Sequence, residues 1–241
     1  MATDLKNIKG IIFDYGGTLD TGGDHWSEVI WKAWQKAGVA ANKAQFRECY
    51  VYAERELART LHILPHHNFS DLLYMKMQIE LQHLCEMGGF AVGDIDPMAE
   101  KIANLCLESA KDAIEKIKPT LDKLAQTYPL VLVSNFYGNI ITVLQQFGIS
   151  KYFKKVIESA VVGVRKPDPK IFELGVEALG LPAAEVLVIG DSFTKDIDAA
   201  QKAGCKAVWL KGKQWSEEEQ KRFYPFTISN LDEILNLLEG E

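Results

Sequence analysis

The chain has 241 residues, 47% of them hydrophobic and 25% charged, with a formal net charge of −6. That length allows one large domain or two small ones around a sizeable core. The acidic balance argues against a nucleic-acid binder, which carries a basic patch. There is no run of about 18 apolar residues, so no membrane span is expected, and residues 1–10 are too polar for a signal peptide. Cys49, Cys85, Cys106 and Cys205 are scattered without zinc-ligand spacing, as expected of reduced and mostly buried thiols in a cytoplasmic protein.

In chain order, Ile11-Ile12-Phe13 is a short apolar run that ends at Asp14 and then Gly16-Gly17, which predicts a buried strand entering a turn. Residues 24 to about 116 read as helices. Trp26, Ile30 and Trp34 recur every four residues, as do Phe46 and Tyr50 and, further on, Leu57 and Leu61. Leu73, Met77 and Leu81 make a third stripe, and Ile102, Cys106 and Ser109 a fourth. Asp24 and Ser70 are expected as N-caps, with Pro65 separating the second helix from the third. After Pro119 the pattern changes. Strands are predicted at residues 130–133, 156–157, 186–189 and 207–210, with helices over residues 138–147, after Pro169 and through Ala199-Ala200. Such alternation predicts an α/β fold, a doubly wound (Rossmann-like) parallel-sheet core made of residues 1–20 and 117–241. An all-helical cap, residues 21–116, is inserted after the first strand.

Ligands of open α/β sheets bind at the carboxyl ends of the strands. The first strand ends at Asp14, the second at Ser134-Asn135, the third is followed by Lys166-Pro167-Asp168-Pro169, and the fourth ends in Gly190-Asp191-Ser192, with Asp196 five residues on. This set suits phosphoryl transfer. Asp14 can attack phosphorus and become an acyl phosphate. Asp14 and Asp191 repel unless a cation lies between them, and Mg²⁺ prefers such oxygen ligands. Lys166, the Ser134 hydroxyl and backbone N–H groups can hold phosphate oxygens, and glycines after Asp14 let the backbone approach closely. Asp196 reads equally as a helix-start residue favoured by the dipole and as support for the metal.

These four stretches, in this order and around a helical insertion, resemble the motifs of the haloacid dehalogenase superfamily over nearly the whole chain, with the helical cap of its first cap class. The resemblance implies a hydrolase with Asp14 as nucleophile, Ser134 and Lys166 as catalytic stabilisers, and Asp191 and the Gly16 carbonyl as Mg²⁺ ligands. The expected phosphate-binding set is Tyr15, Gly16, Thr18, Ser134, Asn135 and Lys166; the expected metal set is Asp14, Gly16, Asp191 and Asp196. The expected substrate is a small phosphorylated metabolite. One departure stands out. Most phosphatases of the family carry a second Asp two residues after the nucleophile as general acid/base, and this sequence has Gly16 there. Asp20, Tyr15, His25 or the substrate are the possible substitutes. The alternatives are a dehalogenase, a phosphonate-type hydrolase, or a weakly active or non-enzymatic phosphate-binding member. Arg47 and Arg55 on the cap read as solvated charges or as contacts to an anionic substrate. The cap loops at residues 38–42 and 65–70 are the expected specificity elements.

Overall fold

Short apolar runs with no polar alternation are stable as strands only when both sheet faces are covered. A computed structural model, which describes residues 5, 7–88 and 95–239, shows that arrangement. Six parallel strands, β1 (Gly10–Phe13), β2 (Leu130–Ser134), β3 (Phe153–Glu158), β4 (Val186–Gly190), β5 (Lys206–Leu210) and β6 (Thr227–Ile228), lie in the order β3-β2-β1-β4-β5-β6. The period of two sorts the side chains. Ile11, Phe13, Leu130, Leu132, Leu187 and Ile189 enter one core layer, and Ile12, Val131, Val133, Val186 and Val188 the other. The chain reverses direction at β1, between β2 and β4, where a parallel sheet opens a crevice at its carboxyl edge.

Four helices, α1 (Trp26–Ala37), α2 (Lys43–Arg59), α3 (Phe69–Glu86) and α4 (Ile95–Thr127), follow β1. The smaller helices after β2 are α5 (Ile140–Gln146), α6 (Ser159–Val162), α7 (Lys170–Leu179), α8 (Asp198–Lys202), α9 (Glu217–Lys221) and α10 (Glu233–Glu239). Two expected caps differ. His25, not Asp24, caps α1, because the Asp24 carboxylate accepts from the Lys213 N–H at 2.8 Å and pairs with Lys32. Asn68, not Ser70, caps α3 in a reciprocal box with Asp71. The fourth helix also does not end near residue 116. It runs 33 residues, about 50 Å at 1.5 Å per residue, straight through Pro119. Pro119 sits on the exposed face, where water can take the bond that the Glu115 carbonyl loses. α4 packs chiefly on α3 and α1, and its Ile102, Cys106, Ile114, Ile117, Leu121 and Leu124 belong to the same buried cluster as the strand residues Ile11, Phe13 and Leu130. β6 and α10 have no counterpart in the sequence expectations. Among the described residues all four cysteines are free, and Cys49, Cys106 and Cys205 are buried. No described helix is long and apolar enough to cross a membrane.

The cap carries charges on its apolar face. Lys76 and Glu80 fall on the buried stripe of α3 with Leu73, Met77 and Leu84. The Trp34 indole is the one hydrogen-bonding group near the Glu80 carboxyl among the described residues, and it lies short of a well-formed bond. Burial lifts its carboxyl from 4.5 to about 8, opposed by Lys76 and reinforced by Glu54. The folded state therefore keeps a proton that the unfolded chain releases. The stability this gives is complete below the unfolded pKa and is lost as pH rises toward 8. Glu80→Gln, which cannot ionise, is expected to flatten the decline in Tm between pH 5 and pH 8 and to melt above wild type at pH 8. Scanning calorimetry at both pH values checks this; an unchanged slope would assign the dependence to another group.

Candidate active site

β1, β2 and β4 are neighbours, so the residues that end them meet on one edge, with strands about 4.8 Å apart. The Asp14 N–H still donates to the Ile189 carbonyl at 3.0 Å, so Asp14 leaves the sheet directly beside β4. Its Oδ2 accepts from the Thr18 hydroxyl at 2.9 Å, and its Oδ1 from Lys166 Nζ at 2.5 Å and from Ser134 Oγ at 3.4 Å. Lys166 Nζ also donates to Asp196 Oδ1 at 2.7 Å. Asp196 returns to the edge through a π-turn, Phe193–Ile197, packed so closely on Gly190 that a Cβ there would lie 2.4 Å from the Asp196 side chain. Lys166 is itself anchored: its N–H donates to Asn135 Oδ1 at 2.9 Å, and Asn135 Nδ2 donates to its carbonyl at 3.0 Å. The loop after β2 thus clasps the lysine that holds Asp14.

Asp14, Lys166, Asp191 and Asp196 are all buried. Burial pulls the Lys166 pKa down, but the Asp14 and Asp196 carboxylates outweigh it and hold the ammonium protonated. Asp191 is pushed well above the usual carboxylate range by burial and then by the charges of Asp14 and Asp196. Burial also raises Asp196, against the pull of Lys166. Oxygens of Asp14, Asp191 and Asp196 lie within 4.8 Å of one another. Fully ionised, as a bound cation would make them, the three carboxylates exceed the one ammonium by two negative charges. An all-oxygen donor set short by two positive charges fits a hard divalent cation.

A cavity lies over this edge, bounded below by Asp14, Gly16, Ser134, Asn135, Lys166 and Asp191, and above by cap residues that include His25, Trp26, Tyr50, Glu54, Phe69 and Lys76. Two expected phosphate contacts do not line it. The Tyr15 ring packs edge-on against Phe69 and Phe136, and its hydroxyl has no partner among the described residues. Thr18 is fully buried, and its hydroxyl spans Asp14 and Asp191 (3.3 Å to the latter). It therefore orients carboxylates. The three possible substitutes for the missing acid fare no better. Tyr15 is enclosed, and burial raises its pKa further. Burial lifts Asp20 to about 8, but its oxygens accept from the Gly17 N–H at 2.8 Å and the Trp26 indole at 3.0 Å, and it does not reach the cavity. His25 reaches the cavity, yet burial lowers its pKa to about 3, so at neutral pH it has no imidazolium proton to give.

The cap arginines also point elsewhere. Arg47 donates to the Trp215 carbonyl at 2.7 Å and stacks on its ring, and Arg55 is exposed. Of the two expected specificity loops, residues 65–70 supply Phe69 to the cavity and residues 38–42 supply nothing. The charged cap residues that do line it, Glu54 and Lys76, went unnoticed in the sequence. The available signal was a lysine inside the apolar stripe of α3, a position that demands a buried partner.

A buried carboxylate held by a lysine, beside two further acids, lies at the reversal point of a parallel sheet, where open α/β folds bind their ligands. The family model for haloacid dehalogenase-like hydrolases matches residues 8–204, and the chain belongs to that family; it is a hydrolase. The chain is 34% identical over 95 residues to a glyceraldehyde 3-phosphate phosphatase of Pyrococcus furiosus, covering 39% of this chain and only 40% of that protein. It is 38% identical over 213 residues to a phosphoglycolate phosphatase of Yersinia pestis, 86% of this chain and 82% of that one. The fold is shared with the HAD-hydrolase YfnB of Bacillus subtilis, solved bound to magnesium, with a TM-score of 0.62 at 20% identity over 97% of this chain and 100% of that one.

Proposed function

We propose that the chain is a Mg²⁺-dependent phosphatase of a small phosphorylated metabolite, working through an aspartyl-phosphate at Asp14. The observation that carries this reading is a buried Asp14 clamped by Lys166 and Thr18 within an acidic cluster two positive charges short of balance. Phosphatases among the relatives support it. Residues 1–20 and 117–241 act as the catalytic core and residues 21–116 as its cap, with α4 common to both.

Lys166 Nζ and Ser134 Oγ receive the phosphoryl oxygens, and Asn135 keeps Lys166 in place. Thr18 fixes the Asp14 carboxylate for attack in line with the departing ester oxygen. An Asp14 oxygen bonds to phosphorus as the P–O ester bond breaks, and the leaving oxygen carries the electron pair away. Water then attacks the phosphorus as the Asp14–phosphorus bond breaks, which restores the carboxylate and releases inorganic phosphate; the proton that the water gives up to solvent balances the one the departed alkoxide takes up there. Asp14, Asp191 and the Gly16 carbonyl would hold Mg²⁺, which when bound supplies charge neutralisation for the phosphoryl oxygens. Asp196, with one oxygen on Lys166 and the other on the Ser192 N–H at 3.0 Å, serves as the lysine's anchor beside that ion. Dehalogenation, which in this family uses no metal, leaves the excess charge without a purpose.

Asp191→Asn is expected to weaken Mg²⁺ binding more than about tenfold, since even supporting residues of metal sites are worth that much. Titration calorimetry reads this directly, and unchanged affinity would remove Asp191 from the ligand set.

Gly16 has a further consequence. With no acid at that position and none supplied by Tyr15, Asp20 or His25, turnover depends on how readily the leaving group departs unprotonated. Rates on substituted phenyl phosphates are expected to fall steeply as leaving-group pKa rises. Gly16→Asp is expected to flatten that dependence and to raise turnover of alkyl phosphates by about 10². The position accepts a side chain: its φ lies outside the left-handed region, and a Cβ would meet only Trp26 at 3.7 Å. A flat dependence in the wild type would show that another group already delivers the proton.

A further inference from the structure

The cap side of the cavity is built around a buried ion pair. α2 sets Tyr50 and Glu54 one turn apart on one face, and α3 brings Lys76 against them. Lys76 Nζ contacts Glu54 Oε1 and lies 4.4 Å over the Tyr50 ring. A lysine this deep stays charged only with such company, and its side chain is just 5% exposed. Glu54 differs. Its side chain keeps 37% of its surface open, and it lines the cavity. Tyr137, on the loop that follows Ser134 and begins with Asn135, points its hydroxyl at both Glu54 oxygens, 3.2 Å from each. Lys76 is thus consumed in holding Glu54, and the Tyr137 proton is spent on it too. What the cap offers an incoming ligand is an anionic acceptor. Of the other basic side chains on the lining, Lys166 is committed to Asp14 and Asp196, Lys195 is exposed and its charge already acts on Glu54 and Asp191, and His25 is uncharged.

We propose that Glu54 selects phosphate esters whose organic part carries a hydrogen-bond donor, a hydroxyl or an ammonium, and rejects those that carry a carboxylate. The proposal rests on the phosphatase reading of Asp14. A hydroxyl or ammonium gives Glu54 a hydrogen bond in a site walled by Trp26, Phe69 and Leu73. A carboxylate brought to the same place loses water and meets a like charge, and among the described residues of the lining both buried lysines, Lys76 and Lys166, are already paired.

Two near-isosteric substrates isolate the effect: 2-hydroxyethyl phosphate and phosphoglycolate, which differ by a CH₂OH against a carboxylate. With Mg²⁺ supplied, wild-type kcat/KM for phosphoglycolate is expected to be at least about tenfold below that for 2-hydroxyethyl phosphate, with 2-aminoethyl phosphate on the favoured side. Glu54→Gln is expected to raise the phosphoglycolate-to-hydroxyethyl ratio about tenfold, because Lys76 then faces the ligand unneutralised. Because that variant leaves a buried lysine unpaired, Glu54→Gln with Lys76→Met provides a second, charge-free version, in which the ratio is also expected to rise and the preference for the ammonium to vanish. The reference substrate 4-nitrophenyl phosphate separates the two levels of failure. If wild type hydrolyses it yet prefers phosphoglycolate, or if neither variant shifts the ratio, the selectivity proposal is wrong and the phosphatase reading stands. If wild type hydrolyses none of the four esters, the phosphatase reading falls and the proposal falls with it.

Discussion

Asp14→Asn is expected to lower kcat for phosphate-ester hydrolysis by about 10³-fold or more while leaving the fold intact. The amide lacks the anionic oxygen that attacks phosphorus, and removal of a nucleophile commonly costs at least that much. The local structure has reason to survive. Asn is nearly isosteric, the Thr18 hydroxyl keeps an oxygen to bond, and Lys166 keeps its other carboxylate, Asp196, at 2.7 Å. Removing the Asp14 charge also relieves its repulsion of Asp191 and Asp196. The variant should therefore melt close to wild type, which separates lost chemistry from lost structure. The companion observation is positive. Wild type quenched in acid during turnover should carry phosphate on the Asp14 peptide by mass spectrometry, and Asp14→Asn should carry none. Retention of most of the wild-type rate by Asp14→Asn would end the covalent mechanism.

Gly17→Ala is expected to be nearly as damaging although it removes no functional group. Gly17 has φ +95°, in the region where a side chain is strained, and a Cβ there would lie 2.4 to 2.6 Å from the Asp191 carboxylate atoms. Alanine must push Asp191 out of position, breaking its contact with the Thr18 hydroxyl and separating it from Asp14. The expected result is a fall in kcat/KM of about 10²-fold or more, as a displacement of about 1 Å in a positioned group can cost, together with weakened Mg²⁺ binding. Backbone strain alone costs about 1–2 kcal/mol. Gly180→Ala provides the comparison, since Gly180 has φ +71° and a Cβ there would meet nothing within 4 Å, far along the chain at the end of α7. Comparable losses of Tm in the two variants, with activity lost only in Gly17→Ala, would assign the damage to Asp191. Full activity in Gly17→Ala would mean that Asp191 need not stand where it does.

The sequence by itself determined the parallel sheet and the residues that end its strands. Runs such as Ile11-Ile12-Phe13 and residues 186–189 are too short and too uniformly apolar for anything but a doubly covered strand, and backbone direction then carries Asp14, Ser134 and Asp191 to one edge. Periodicity determined that the insertion is helical, because a four-residue repeat such as Trp26, Ile30 and Trp34 buries one face only in a helix. Tertiary structure decided what periodicity does not encode. Whether Pro119 ends a helix depends on which way it faces, and it faces solvent. Whether Thr18, Tyr15 and Asp20 touch a substrate depends on side-chain direction within one tight turn, where neighbouring residues diverge: Thr18 turns to the carboxylates, Tyr15 into the aromatic core and Asp20 back onto the Gly17 N–H. The ion pair joins Glu54 and Lys76, 22 residues apart on two different helices, and its closure by Tyr137 comes from the core, 83 residues from Glu54. No local pattern records such a meeting, because its energy comes from desolvation and charge pairing that exist only once the cap lies over the sheet.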